Sequence, residues 1–391
     1  MLATVASPRF RTCLISTLSS ATLVLASVPA TAYAWTISNL GTLGGSYSVA
    51  TGINNQGQVV GYSQNPPHLH ENIDMVSFEH AFISAPHGGQ LTDLGPGIDD
   101  VSRAAGVNDA GQVVGQTMLG GSLAVALVTG PNGKTLPNGP YDPPYQGSLN
   151  GASFLSARAI SNSGQVAGYD VLGNSSFLTR PDGVTLVTFP YAQVNAVNDV
   201  GQVVYNGLDN HGYIWSETDG PRMLAPDADF STAVDINDLG QVVGRIGGTG
   251  YITSPNGGSV TMLGTLGGDF CEPLGINNLG QVVGLSKTAS GDLHAFVTGP
   301  NGQSMTDLET LDDIVKSGWS GLTVAGINDH GQIAGTGFID GQQRAFFLSP
   351  VPEPSEGALL MGGLLALQTL VKRRSRPASR CKAKQGTPLR H

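Results

Sequence analysis

The sequence predicts an all-β fold, a seven-bladed β-propeller of four-stranded blades, and three observations carry that reading. A turn-forming decapeptide recurs seven times. A second turn pattern follows it through most of the chain. The last repeat is one strand short, and the missing strand stands at the opposite end. Composition agrees: glycine is 55 of 391 residues, about twice the ~7% usual in proteins. Charged residues are 12%, about half the usual ~25%. Coiled coils and long helical bundles are excluded. The 40% hydrophobic content can build a core, which excludes a charged disordered chain. No apolar run reaches the ~18 residues of a membrane-spanning helix, which excludes a polytopic membrane protein.

The first hairpin of each repeat reads GINNQGQVVG (52–61), GVNDAGQVVG (106–115), AISNSGQVAG (159–168), AVNDVGQVVY (196–205), DINDLGQVVG (235–244), GINNLGQVVG (275–284) and GINDHGQIAG (326–335). The intervals between their central glycines are 54, 53, 37, 39, 40 and 51 residues. Each unit joins a short apolar strand to a β-branched strand. Asn or Asp caps the turn, and the glycine supplies the left-handed residue of a bulged hairpin. Calcium ligation by the Asn/Asp pairs is the rival chemistry. The D-x-[DN]-x-[DN]-G spacing it needs is absent, and turn formation accounts for every residue.

The second hairpin appears at 80–95, 124–139, 175–190, 211–226, 250–268 and 294–309, often turning on Pro-Asn-Gly or Pro-Asp-Gly. Proline there sets φ at the second turn position. Four strands per unit is a propeller blade. The seventh unit ends at QRAFFLSP (343–350) without a fourth strand. Trp35–Leu40 precedes LGTLGG (40–45), the hexapeptide that recurs at 263–268 after a fourth strand. The N-terminal strand of the mature chain is therefore expected to close the last blade, leaving no open edge.

The two ends read as addresses. Arg9 and Arg11, an apolar stretch from Cys13 to Val28, and Ala32-Tyr33-Ala34 form a secretory signal peptide over 1–34, with signal peptidase cutting before Trp35. Val351-Pro352-Glu353-Pro354-Ser355 is followed by an apolar run over 357–371 and by Lys372-Arg373-Arg374. Fifteen helical residues reach about 22 Å, short of a ~30 Å hydrocarbon core. Such a segment suits a temporary anchor, its basic end held in the cytoplasm. Residues 351–374 resemble the PEP-CTERM sorting signal of Gram-negative bacteria. That resemblance implies transient contact with the inner membrane and processing by an exosortase near Pro-Glu-Pro. The basic tail 375–391 is expected to be disordered.

The propeller region, 35–350, also resembles the HAF-repeat extracellular proteins. His80-Ala81-Phe82, His294-Ala295-Phe296, the GINNxGQVVG units and LGTLGG carry the likeness. Arg344-Ala345-Phe346 and Gly212-Tyr213-Ile214 depart from it. The resemblance implies an extracellular location and supplies no activity.

Nine Lys/Arg face 27 Asp/Glu between Trp35 and Pro350, a net charge of −18. A body that acidic repels phosphate backbones, so nucleic acid is excluded as a partner. Cys13, Cys271 and Cys381 fall in three different segments, and no disulfide framework exists within 35–350. In a blade the first and third connections share one face, and here they are tight turns. The long insertions, 64–79, 138–153 and 309–321, fall on the other face, the expected ligand face. Tyr141, Asp142, Tyr145, Asp312, Asp313 and Trp319 are its candidate contacts, suited to stacking sugar rings and bonding hydroxyls. His68, His70 and Asp74 are candidate ligands for a divalent metal, against the plainer reading of a solvated polar loop. H-E-x-x-H, G-x-S-x-G and P-loop patterns are absent, and no cofactor is expected. Three functions fit: a non-catalytic surface or matrix protein binding a polysaccharide or protein, a secreted polysaccharide lyase or hydrolase, and a purely structural coat component, the last favoured by a flat long-loop face.

Overall fold

The computed structural model describes residues 33–70, 74–95, 100–119, 123–134, 155–170, 174–180 and 185–352. Its strands form seven antiparallel blades of a β-propeller. Blade one is Ser48–Ile53, Val59–Gln64, Glu79–Ser84 and Leu91–Asp93. Blade four is Gln193–Val197, Val203–Asn206, Gly212–Ser216 and Gly220–Met223. Blades three, five and six repeat the order. Blade two shows three strands, Val101–Val107, Val113–Leu119 and Leu123–Val128. The fourth strand expected within 124–139 would fall on 135–139, which lie outside the described residues. The first strands of successive blades touch one another right around the ring.

Why the Gln-Val-Val-Gly strand recurs follows from what each of its residues meets. Consecutive residues of a strand face opposite sides, so the two β-branched residues serve the two flanking blade interfaces. Val59 packs in the cluster shared with blade seven and Val60 in the one shared with blade two. Val242 and Val243 divide in the same way between blades four and six. Seven apolar clusters result, one per interface. The glycine that follows has a steric reason. A Cβ on Gly61 would lie 1.9 Å from the Val49 carbonyl oxygen, and one on Gly244 would lie 1.8 Å from that of Thr232. In all seven innermost strands the register slips by one residue at this level, at Thr51 in blade one and Val234 in blade five. The same bulge occurs in the others.

The central turn glycines adopt the left-handed conformation as expected, with φ between 69° and 83° from Gly57 to Gly331. At Pro-Asn-Gly the asparagine is left-handed as well: Asn132, Asn256 and Asn301 have φ of 55°, 55° and 54°. The His of the His-Ala-Phe triplet ties the third strand to the fourth. His80 Nδ1 lies 2.9 Å from Asp93, and His294 Nδ1 lies 2.7 Å from Asp307.

The ring closes through the N-terminal strand, Tyr33–Asn39, which pairs with Gln342–Pro352 as the outer strand of blade seven. Leu40 N donates to the Ala345 carbonyl at 3.0 Å, and Thr36 Oγ1 to that of Ser349 at 3.4 Å. Trp35 and Ile37 pack on the cluster holding Phe346 and Leu348. The strand begins two residues before the expected cleavage point and keeps Trp35–Asn39 after it. Third strands run toward the tight-turn face, so Gln342–Pro352 ends there. Pro350 accordingly sits beside the Gly331 turn, 3.6 Å from where a Cβ on that glycine would be. The paired N-terminal strand starts on that same face.

Candidate functional site

On the tight-turn face the seven repeat turns converge around the axis and line a space of about 150 Å³. The first Asn of each turn folds back on its own hairpin and also reaches the next blade. Asn54 Nδ2 donates to the Asn108 carbonyl, Asn237 to Asn277, Asn277 to Asn328, and Asn328 back to Asn54, each at 2.9 Å. Ser161 replaces Asn in blade three, and no such bond reaches Asn198. The next residue builds a second ring in which Asn and Asp alternate. Asn278 Nδ2 donates to Asp238 at 2.8 Å and Asp329 at 3.0 Å, and Asn55 and Asn162 likewise bridge two carboxylates. Seven is odd, so alternation must fail once; it fails at the neighbours Asp199 and Asp238. These side chains are consumed in holding the ring together. Above them Asp235 stands where four other blades have glycine. Its carboxylate accepts from Ile236 N and Ile276 N at 2.9 and 3.0 Å. Burial pushes its pKa up to about 6 against the pull of those bonds.

The opposite face carries the large concavity. A cleft of about 1160 Å³ lies over blades three, four and five. Its walls are the facing ends of the second and third strands of blade three, the second connection of blade four and the crossings that follow those blades. Tyr169, Asn174, Tyr191, Gln193, Asn206, Leu208, Asn210, Asp229 and Phe230 line it, with Arg158 among them from the bulge of an innermost strand. Tyr191 and Phe230 are 65% and 51% exposed. Asn174, Tyr191 and Asn210 have φ of 48°, 54° and 62°. Below the cleft Tyr205 takes the place of the repeat's last glycine and stacks on Tyr213, ring centroids 5.1 Å apart. Asp209 accepts from the Tyr213 hydroxyl at 2.5 Å, which pushes that phenol up to about 12.

The long-loop face expected from the topology is thus the face with the cleft, but its position on that face differs from expectation. The cleft sits over the short repeats, spaced 37, 39 and 40 residues. Tyr141, Asp142 and Tyr145 lie outside the described residues. Trp319 is 7% exposed and meets Phe346 edge-on at 5.6 Å, so it is a core residue offering no ring to a ligand. Asp312 and Asp313 open a short helix, Asp312–Ser317, that braces the closing strand. Asp313 accepts from Trp35 N at 2.9 Å, and Asp312 pairs with Lys316.

The polar loop expected in blade one is instead a two-stranded hairpin, with His68–His70 paired to Asp74–Val76. The His68 ring lies against Phe78, centroids 5.8 Å apart. Among the described residues no group of three His, Cys, Asp or Glu is placed to hold a metal ion. Cys271 is buried, and its thiol is pushed up to about 11 by that burial. The cleft residues were missed because exposure, not residue type, distinguishes them. The compressed repeat spacing was the available signal.

No protein-family model matches the chain, and no curated protein sequence matches it. Among solved structures the chain is similar to YCF48 bound to D1 peptide, at 11% identity and a TM-score of 0.47, covering 82% of this chain and 97% of that one. It is also similar to TolB from Acinetobacter baumannii, at 12% identity and a TM-score of 0.38, over 63% and 62% of the two chains. An acylaminoacyl peptidase from Pyrococcus horikoshii matches at 11% identity and a TM-score of 0.48, over 78% and 53%.

Proposed function

We propose that the chain is a non-catalytic binding protein, exported to the cell surface or extracellular matrix, that holds a polysaccharide or protein partner in the cleft over blades three to five. The observation that carries the reading is the cleft itself: a large concavity with exposed rings and polar side chains on a scaffold of fixed loops. The ends of the propeller support export. The signal-peptide pattern of 1–34 and the sorting pattern of 351–374 imply passage across the inner membrane and exosortase processing near Pro352. Gln342–Pro352 finishes on the tight-turn face, opposite the cleft.

Cell fractionation with mass spectrometry of the terminal peptides tests export and sorting. The expected surface form begins at Trp35 and lacks every peptide from Ser375–Arg390. Recovery of the chain in the cytoplasm with Met1 intact, or surface chains still carrying that tail, overturns the corresponding part. Retention of the protein on insoluble extracellular matrix, lost when Tyr191 and Phe230 are both changed to Ala, tests the binding role.

A further inference from the structure

Resting on the reading that the cleft is a binding site, we infer that its ligand is a neutral carbohydrate chain rather than a polypeptide. Three features of the cleft select that chemistry.

The first is the state of the rings. Tyr169, Tyr191 and Phe230 border the cleft, and none has an aromatic or cationic partner among the described residues. An exposed ring face accepts the apolar C–H face of a pyranose through its negative quadrupole. The Tyr191 ring is held at a conformational cost. A bulky side chain at φ 54° is a genuine outlier, and such strain persists only where the surroundings impose it. Here Tyr191 N donates at 3.0 Å to the carbonyl of Asn174, itself at φ 48°.

The second feature is the state of the backbone. A peptide added as a strand needs a row of open N–H and C=O groups. Around the two crossings part of that row is closed within the walls. Besides the Tyr191 bond, Ser231 N donates to the Asn210 carbonyl at 3.0 Å and Gly207 N to that of His211 at 2.9 Å.

The third is which polar groups are left. Gln193, Asp229 and Arg158 line the cleft, and their side chains form no hydrogen bond or ion pair among the described residues. Amide, carboxylate and guanidinium together offer the donors and acceptors that paired sugar hydroxyls need. Charge decides between neutral and acidic sugars. One guanidinium stands in a body of net charge −18, which repels a polyanion.

The test is an array of neutral hexasaccharides of glucose, mannose, galactose and xylose, with alginate hexasaccharide and a peptide library alongside. It is probed with the protein carrying its natural ends, and hits are measured by calorimetry. At least one neutral oligosaccharide is expected to bind. Tyr191→Ala and Phe230→Ala should each weaken it tenfold or more. Phe338→Ala, which removes an exposed ring outside the cleft, should leave binding unchanged. Tyr191→Gly should lose binding while raising the Tm, because glycine relieves the left-handed strain. That gain separates a functional ring from a structural one.

A preference for alginate overturns the neutral assignment. Peptide binding lost in the same cleft variants, with no oligosaccharide bound, overturns the carbohydrate class and leaves the cleft standing as a binding site. No array feature sensitive to the cleft variants overturns both readings.

Discussion

Replacing Asn277 separates the two jobs of the repeat's first asparagine, closing its own turn and tying its blade to the next. The side chain is buried, 3% exposed. Its Oδ1 accepts from Leu279 N at 3.1 Å and Gln281 N at 2.9 Å, within the turn. Its Nδ2 donates to Gln281 Oε1 and, across the interface, to the Asn328 carbonyl, both at 2.9 Å. Asn277→Ala removes all four bonds and leaves buried donors unpaired. At about 1 kcal/mol net per bond the loss is about 3–4 kcal/mol. Asn277→Ser has a natural precedent in blade three, where Ser161 Oγ still accepts from Gln165 N at 3.2 Å but reaches no neighbouring blade. Serine should therefore cost about 2 kcal/mol, half the alanine effect. The converse change, Ser161→Asn, should add about 1 kcal/mol by supplying the missing bond to Asn198. Urea unfolding followed by tryptophan fluorescence reads all three. Equal losses for serine and alanine, or an alanine loss below about 1 kcal/mol, would refute the assignment of a cross-blade tie.

Three further outcomes follow from the same geometry. Gly61→Ala drives a Cβ to 1.9 Å from the Val49 carbonyl and should destabilise by about 3 kcal/mol, the upper range for overpacking; a neutral result in a melting assay would remove the steric account of that glycine. Asp235 has its folded pKa raised to about 6, so the native state binds the extra proton and stability falls as pH rises from about 4 to 6. Asp235→Asn lacks that slope, and its Tm relative to the parent should climb across this window, whereas parallel Tm curves would count against it. Deleting Trp35–Leu40 exposes the cluster of Phe346 and Leu348 and removes Trp35, Ile37 and Leu40 from their packing. Three such side chains are worth about 5 kcal/mol together, read as a large fall in Tm; a change no greater than that from trimming the tail after Ser375 would deny the closure.

The sequence displayed the ring more plainly than the site. Repetition made the blades legible, because every copy must meet the same two neighbours, and Val59 with Val60 does so through adjacent positions of one strand. Closure was legible because a missing strand at 350 and a spare one at 35–40 are complementary. Asn54 and its equivalents were read correctly as turn residues. Their second bond, to the next blade, depends on the distance between turns 37 to 54 residues apart, which local pattern does not contain. The link between His80 and Asp93 was hidden in the same way, since its ends lie on different strands.

The site was less legible because ligand contact depends on exposure and local concavity. Trp319 and Tyr191 are both aromatic residues in connecting segments. One is buried by the short helix and Phe346, and the other stands out of a crossing with its backbone turned left-handed. Nothing in residue type separates them. The insertions drew attention to blades one, two and six, while the concavity formed over the short repeats of blades three to five.

The cleft over the short repeats is the proposed binding surface on which the function depends. Hydrogen exchange of the whole protein, with and without the oligosaccharide that binds best on the array, addresses that directly. Protection is predicted in peptides covering Tyr191–Gln193, Asn206–Asn210 and Asp229–Thr232, with the turns at Asn54–Gln58 and Asn277–Gln281 unchanged. Protection confined to those turns, or to Asp312–Trp319, would contradict it.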